Sequence, residues 1–283
     1  MFNGDEYLFS GIIMAIPLLI LAIVALATIV YLPYSILKAI ILHFYKDHIN
    51  RYLIFVDLKG RYKKILWEYC LYYRRLNRKD QRIFERRVAK FMAMKEFVPR
   101  GGLEKVTDHM KTLVSATAIK LTFGLPSIYF EHFWRILIYP DVYYSNISQQ
   151  YHQGEVNTKG FIMLSWPNFI EGIIDREDGK NLGLHEMAHA LRIENSIRNQ
   201  EYDFLDFDAL MKFDVEAKKE MVKINDQRST FYRSYAGVNE QEFFAVTIEN
   251  FFERPALLKE YHPGIYLTIT QMLQQDPLVL FNG

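Results

Sequence analysis

Asn181-Leu182-Gly183-Leu184-His185-Glu186-Met187-Ala188-His189-Ala190-Leu191 is the stretch from which the rest of the chain is read, because it carries the spacing H-E-x-x-H. On a helix, His185 and His189 lie one turn apart on the same face, so their imidazoles converge on one point, as two ligands of a metal ion do. Glu186, beside the first histidine, is then placed to take a proton from a water at that point. Asp178-Gly179 gives a turn before the segment, and Leu184, Met187, Ala188 and Leu191 give it an apolar face to bury. An amphipathic helix with two polar-face histidines has the same pattern without the chemistry.

Composition narrows the field. The chain of 283 residues carries 34 Lys+Arg against 33 Asp+Glu, which leaves no bulk electrostatic case for binding nucleic acid. Its 19 Tyr and 21 Phe are enough for a large core and an aromatic cleft. The single cysteine, Cys70, rules out an intramolecular disulfide and any Cys-cluster zinc site.

At the N-terminus no charge falls between Glu6 and Lys38, and Gly11 to Leu32 is almost wholly apolar, long enough for a helix crossing the hydrocarbon core. Tyr7, Phe9, Tyr31 and Tyr34 stand at interfacial positions. A cleaved signal peptide fits less well, since Asp5 and Glu6 precede the run and no Lys or Arg does. Lys38, Lys46, Arg51, Lys59, Arg61, Lys63 and Lys64 follow it, so the positive-inside rule puts the C-terminal bulk in the cytoplasm. The expectation is a single-pass protein of the inner (cytoplasmic) membrane. Residues 1–37 form its anchor, and 38–79 form a basic juxtamembrane linker facing anionic lipid.

Beyond the linker, Phe84, Val88 and Phe91 predict an amphipathic helix from Asp80 that ends near Pro99-Arg100-Gly101-Gly102. Val106, Met110, Leu113, Thr117 and Leu121 predict a second. Phe133–Tyr139 and Phe161–Trp166 are β-branched and aromatic runs, each closed by a proline, and predict strands of a small sheet beside the motif helix. Trp134 and Trp166 are expected in the core. Then follow a polar connection, a helix over Val215–Ile224 and a last helical pair split by Pro255. The fold class is α+β, mainly helical.

A catalytic zinc takes three protein ligands and keeps one position for water. A third histidine six residues past the second would fall at Asn195, which is not a ligand type, and His262 is the only later histidine. The better region is Tyr235-Ala236-Gly237-Val238-Asn239-Glu240-Gln241-Glu242-Phe243-Phe244-Ala245-Val246. Glu242 falls in the first turn of a helix beginning near Asn239, with Glu249 two turns along the same face. Asn239-x-x-Glu242 also reads as a capping box, in which the carboxylate serves a backbone N–H. Spacing leaves ligand and cap open, with Glu240, Glu249 and Glu253 as rivals.

These blocks resemble a known family. Asp178-Gly179-x-Asn181-Leu182-x-Leu184-His185-Glu186-x-Ala188-His189-x-Leu191 is similar to the motif of the Mlc titration factor A (MtfA) zinc peptidases. So are Glu242-Phe243-Phe244-Ala245-Val246, Glu249-Asn250-Phe251-Phe252-Glu253-Arg254-Pro255 and Gln275-Asp276-Pro277. Tyr139-Pro140 and Gly154-Glu155 through Leu164-Ser165-Trp166 look like landmarks of the same family, and the likeness runs over roughly residues 80 to 280. The segment from Tyr235 to Ala245 also resembles the active-site helix of the anthrax lethal factor catalytic domain.

The resemblance implies a zincin-like domain over 80–283 and Zn²⁺ held by His185, His189 and Glu242, with Glu249 behind the ligands. It also implies Glu186 as the general base and Tyr235 pointing its hydroxyl at the developing oxyanion. The expected function is a membrane-anchored zinc metallopeptidase acting on a peptide or protein substrate, with aminopeptidase activity on small peptides among its forms. The alternative is a regulatory module that sequesters a cytosolic protein partner around a structural or residual zinc site. Two features depart from the family: Arg192 stands where an acid is common, and the anchor is additional, so the family's known partners do not carry over. A zinc hydrolase with a cysteine ligand would need Cys70, which lies far from the motif in sequence. An intramembrane protease fits poorly, because Asp175 to Lys180 holds five charges in six residues beside the motif helix.

Overall fold

The computed structural model describes residues 57–145, 149–198 and 204–280, together with scattered positions between 20 and 37. It divides into two units, Met1–Ile54 and Phe55–Gly283. In the first, the described positions are helical, and Ile20, Leu21, Val24, Leu26, Ile29 and Leu32 all expose their side chains. Among the described residues no helix is long and apolar enough to cross a membrane; much of the expected span, Gly11 to Leu32, lies outside them.

The second unit starts earlier than the expected boundary at Asp80. Helices α1 (Gly60–Tyr69) and α2 (Leu71–Arg75) lie within the expected linker. Leu66, Tyr72 and Tyr73 are buried in the core, and the Tyr72 hydroxyl donates to Gln275 at 2.7 Å across the sequence. The basic residues of this stretch are its solvent face. Helix α3 (Arg78–Met94) is capped by the Asn77 side chain and buries the predicted stripe of Phe84, Val88 and Phe91.

Strand β1 (Glu96–Pro99) falls where only a helix end was expected. Four residues closed by a proline give no local strand signal; pairing with a distant partner makes them one. The sheet runs β1-β2-β6-β5, where β2 is Arg135–Tyr139, β5 is Gly154–Asn157 and β6 is Phe161–Ser165. The first three strands are parallel, and β5 is antiparallel to β6 at the edge. Between β2 and β5 lies a two-stranded hairpin, β3 (Tyr143–Ser145) with β4 (Gln150–His152). The β5–β6 turn needs Gly160, whose φ is +95° and whose absent Cβ would meet the His132 carbonyl at 2.8 Å.

Helix α4 (Asp108–Thr122) is buried nearly all round, from Met110 to Thr122. Its polar residues survive burial by bonding inward: Thr112, Ser115, Thr117 and Thr122 donate to carbonyls four residues back. After β6 come α5 (Trp166–Ile174) and the motif helix α6 (Leu182–Arg198). Gly183 lets α6 approach closely, since a Cβ there would lie 2.5 Å from the Phe169 ring. The chain continues through α7 (Phe207–Asn225), a 3₁₀ turn over Ser234–Gly237, and α8 (Glu240–Glu253). The expected pair split by Pro255 is α8 and α9 (Pro255–Tyr261), and two helices not foreseen follow, α10 (Pro263–Leu273) and α11 (Pro277–Leu280). Pro255 and Pro263 open helices here, as suits a residue without an N–H to leave unsatisfied.

Trp134 corrects its expectation. It is 44% exposed and lies under the Arg135 guanidinium, 4.2 Å from the ring centroid. Trp166 is half-buried, stacked on Phe169.

Candidate metal centre

The motif helix is buried along most of its length, against α4, α5, α8 and the β5–β6 hairpin. Asn181 caps it: its Oδ1 accepts from Leu184 N at 3.0 Å. From that fixed start, His185 and His189 project one turn apart with their Nε2 atoms 3.1 Å from each other. Helix α8 supplies Glu242, whose Oε2 is 3.0 Å from His185 Nε2 and 3.5 Å from His189 Nε2. Asn239 alone caps α8, accepting from Gln241 N and Glu242 N. The capping box is thus realised only in its Asn239 half, and the Glu242 carboxylate faces the histidines.

Glu249, two turns along, reaches the other side of His185. Its Oε1 is 2.6 Å from His185 Nδ1 and 2.7 Å from Arg233 Nη2, while its Oε2 accepts from Asn181 N at 2.7 Å and Arg233 Nη1 at 3.1 Å. Burial opposes its charge, but His185 and Arg233 outweigh burial and lower its pKa. With Nδ1 donating to that carboxylate, the Nε2 of His185 presents a lone pair.

Two imidazole nitrogens and a carboxylate oxygen therefore meet on a triangle with sides of 3.0, 3.1 and 3.5 Å. Three lone-pair donors at that spacing repel unless protons or a cation sit among them. A tetrahedral zinc with bonds of about 2.0–2.1 Å separates its ligands by about 3.3 Å, so the triangle fits such an ion. These three residues are also the only cluster among the described residues whose geometry suits a metal.

Glu186 is buried and lies over the β5 backbone: a Cβ on Gly154 would fall 2.5 Å from Glu186 Oε1. Burial, with Glu242 and Glu155 nearby, pushes its carboxyl up to about 8 despite the opposing pull of His185. Tyr235, in the 3₁₀ turn, is 47% exposed, with its ring 5.9 Å from that of His185. Burial and the charge of Glu242 push its hydroxyl up to about 12.

The other candidates lie elsewhere. Glu240 pairs with Lys218, His262 sits against Phe231 and Tyr232, and the Asn195 side chain holds Leu205 N. Arg192 pairs with Asp214 and stacks on Phe244, which places the departure from the family pattern in a local ion pair. Glu253 accepts from Asn181 Nδ2 at 2.8 Å. Residues not singled out from the sequence complete the surroundings. Arg233 grips Glu249 and also the Gly179 carbonyl. The Tyr143 hydroxyl and Glu155 Oε2 are buried without a hydrogen-bond partner among the described residues, near Glu186. A lone arginine or tyrosine gives no spacing signal; only the fold brings these to the site.

Comparison with known proteins bears on this arrangement. Residues 49–274 match the model of the family described as glucose-regulated metallo-peptidase M90. An Mlc titration factor A of Enterobacter sp. is 28% identical over 211 residues, covering 67% of this chain and 77% of its own. That of Klebsiella pneumoniae is 27% identical, covering 70% and 80%. An uncharacterised protein of Synechocystis sp. is 23% identical, covering 78% and 86%.

Burial lifts the Glu253 carboxyl from its ordinary 4.5 to about 7, with the Asn181 amide partly offsetting it. A raised folded-state value means that the folded protein holds the extra proton between these limits, so stability falls as pH rises through that window. Thermal melts across it should show a steeper loss for wild type than for Glu253→Gln; equal slopes would contradict the assignment.

Proposed function

Because the chain belongs to the glucose-regulated metallo-peptidase M90 family, we propose that it is a zinc-dependent peptidase anchored to the membrane by its N-terminal stretch, with the folded unit in the cytoplasm. The observation that carries the catalytic reading is the triangle of lone-pair donors at zinc-ligand spacing, backed by a carboxylate on the far nitrogen of His185. His185, His189 and Glu242 would hold the ion, which when bound supplies a Lewis acid that makes water a nucleophile near neutral pH and polarises a carbonyl.

The chain's own residues then divide the remaining work. Glu186 takes the proton of the attacking water and delivers it to the leaving amine. The Tyr235 hydroxyl donates to the developing oxyanion, a contribution of about 3–4 kcal/mol for one such donor. Glu249, gripped by Arg233 and Asn181, fixes the ring of His185 and keeps its proton on Nδ1. The edge position of β5 beside Glu186 suits an extended peptide, which can add to the sheet as a further strand. Free or blocked N-termini in a peptide library separate aminopeptidase from endopeptidase action.

The anchor is supported by the uncharged run of the first unit and by the exposed apolar side chains at its described helical positions. The full chain should sediment with membranes and resist an alkaline wash, whereas the chain lacking residues 1–37 should not. Full-length protein found in the soluble fraction would sink the anchor.

Elemental analysis should find near-stoichiometric zinc in wild type, retained in Glu186→Gln and largely lost in Glu242→Ala. Turnover of peptides should fall by at least about a hundredfold in Glu186→Gln, the loss of a general base. Wild-type turnover in that variant would end the assignment. Partner binding unaffected by Glu186→Gln, with no peptide cleaved by wild type, would favour the sequestering module.

Gly154→Ala tests the placement of Glu186 separately. The new methyl must displace the flexible carboxylate and spares the backbone, so folding and zinc content should hold while kcat falls by about ten- to a hundredfold. An unchanged kcat would show that the carboxylate works from another position.

A further inference from the structure

A cavity of about 480 Å³ lies behind the motif helix, walled by Cys70, Tyr72, Leu113, Lys120, Phe252 and Glu253, with Asn181 between it and the metal centre. Its volume is within the range of small-molecule sites, and nothing in the peptidase reading uses it. Two of its polar groups are left unmatched by the fold. Glu253 uses Oε1 to accept from Asn181, but its Oε2 is buried with no partner among the described residues. The Lys120 ammonium rests on the Phe252 ring, 4.9 Å from the centroid, and donates no hydrogen bond among the described residues. The two charges do not form an ion pair with each other there, although each feels the other's field.

A buried acceptor without a donor, as at Glu253 Oε2, is costly, and the half-buried Lys120 ammonium stands beside the same cavity. One occupant satisfies both if it brings an ammonium to Glu253 Oε2 and a carboxylate to Lys120. Leu113, Leu184, Phe252 and the Tyr69 ring give the wall an apolar patch that suits a hydrocarbon side chain, while Arg75, Asp175, Arg176 and Glu177 also line the cavity. We propose that this cavity is a binding site for a zwitterion with an apolar side chain, a free amino acid or a short peptide, held between Glu253 and Lys120. Burial drags the Lys120 charge down and the Glu253 carboxyl up; such a ligand restores both charged forms.

Calorimetric titration of the full-length protein tests this, using leucine and the dipeptide Leu-Phe, with N-acetyl-leucine and leucinamide as probes lacking one charge each. At least one of the two zwitterions should bind saturably, and the tighter of them identifies the source. Lys120→Met and Glu253→Gln should each weaken that binding by about tenfold or more, the loss expected for a charge-assisted contact. Glu253→Gln keeps the oxygen facing Asn181 and replaces only the unmatched acceptor, so it tests the contact without removing the Asn181 bond. The two single-charge probes should bind far more weakly. Amino acids also chelate zinc, so His189→Ala is the decisive control. Binding that survives in His189→Ala and fails in Lys120→Met supports the cavity, whatever becomes of the peptidase reading. Binding lost in His189→Ala but kept in Lys120→Met belongs to the metal centre and overturns the proposal. So does the absence of saturable binding up to millimolar ligand, or equal binding of N-acetyl-leucine or leucinamide.

Discussion

The Glu249 carboxylate is the constraint on which the rest of the site depends. It is 1% exposed, and a bare charge at that depth would not stay ionised. Four donors keep it so: both Arg233 nitrogens, Asn181 N and His185 Nδ1. They belong to three residues, Arg233, Asn181 and His185, so the carboxylate ties the 3₁₀-turn approach, the cap of the motif helix and the motif itself to α8. Removing one partner of such a cluster leaves an uncompensated buried charge, which costs several kcal/mol. The site's geometry and the local stability of the fold are in this sense one interaction.

That tie explains why α8 has to be buried. Seven residues separate Glu242 from Glu249, two helical turns, so both lie on the face toward α6. The other faces carry Phe243, Phe244, Val246, Ile248 and Phe251, all fully buried. Packing fixes the helix in rotation, and rotation delivers one carboxylate to the outer nitrogens of the histidine pair and the other to the inner nitrogen of His185. A solvent-facing helix would hold neither to a few tenths of an ångström.

What could be read in advance follows from how local each signal is. H-E-x-x-H and the pair Glu242/Glu249 are periodicities of single helices, and the chain shows them directly. The stripe of Phe84, Val88 and Phe91 was legible for the same reason. Strand β1 exists only because β2 pairs with it, and α1 and α2 enter the core by contacts across the whole sequence, such as Tyr72 with Gln275. Basic residues on their outer faces made 60–75 look like a solvated linker when the buried faces were aromatic. Arg233 and Tyr143 carry no spacing signal because their partners lie on other elements. The ligand-or-cap ambiguity of Glu242 is real at the level of spacing; in the structure Asn239 caps the helix and the Glu242 carboxylate faces the two histidines.

Asn181 joins the site to the cavity behind it. Its backbone N–H serves Glu249 on the metal side, and its side-chain amide serves Glu253 on the cavity side. The same amide donates to the Gly172 carbonyl, while its oxygen caps the motif helix. Gly172 has no room for a side chain here, since a Cβ would lie 2.8 Å from Asn181 Cα. Every polar atom of Asn181 named here is committed, so the residue cannot move to suit one neighbour without giving up another. A single small amide thus fixes where the motif helix begins, and the position of His185 one turn later is set from that start.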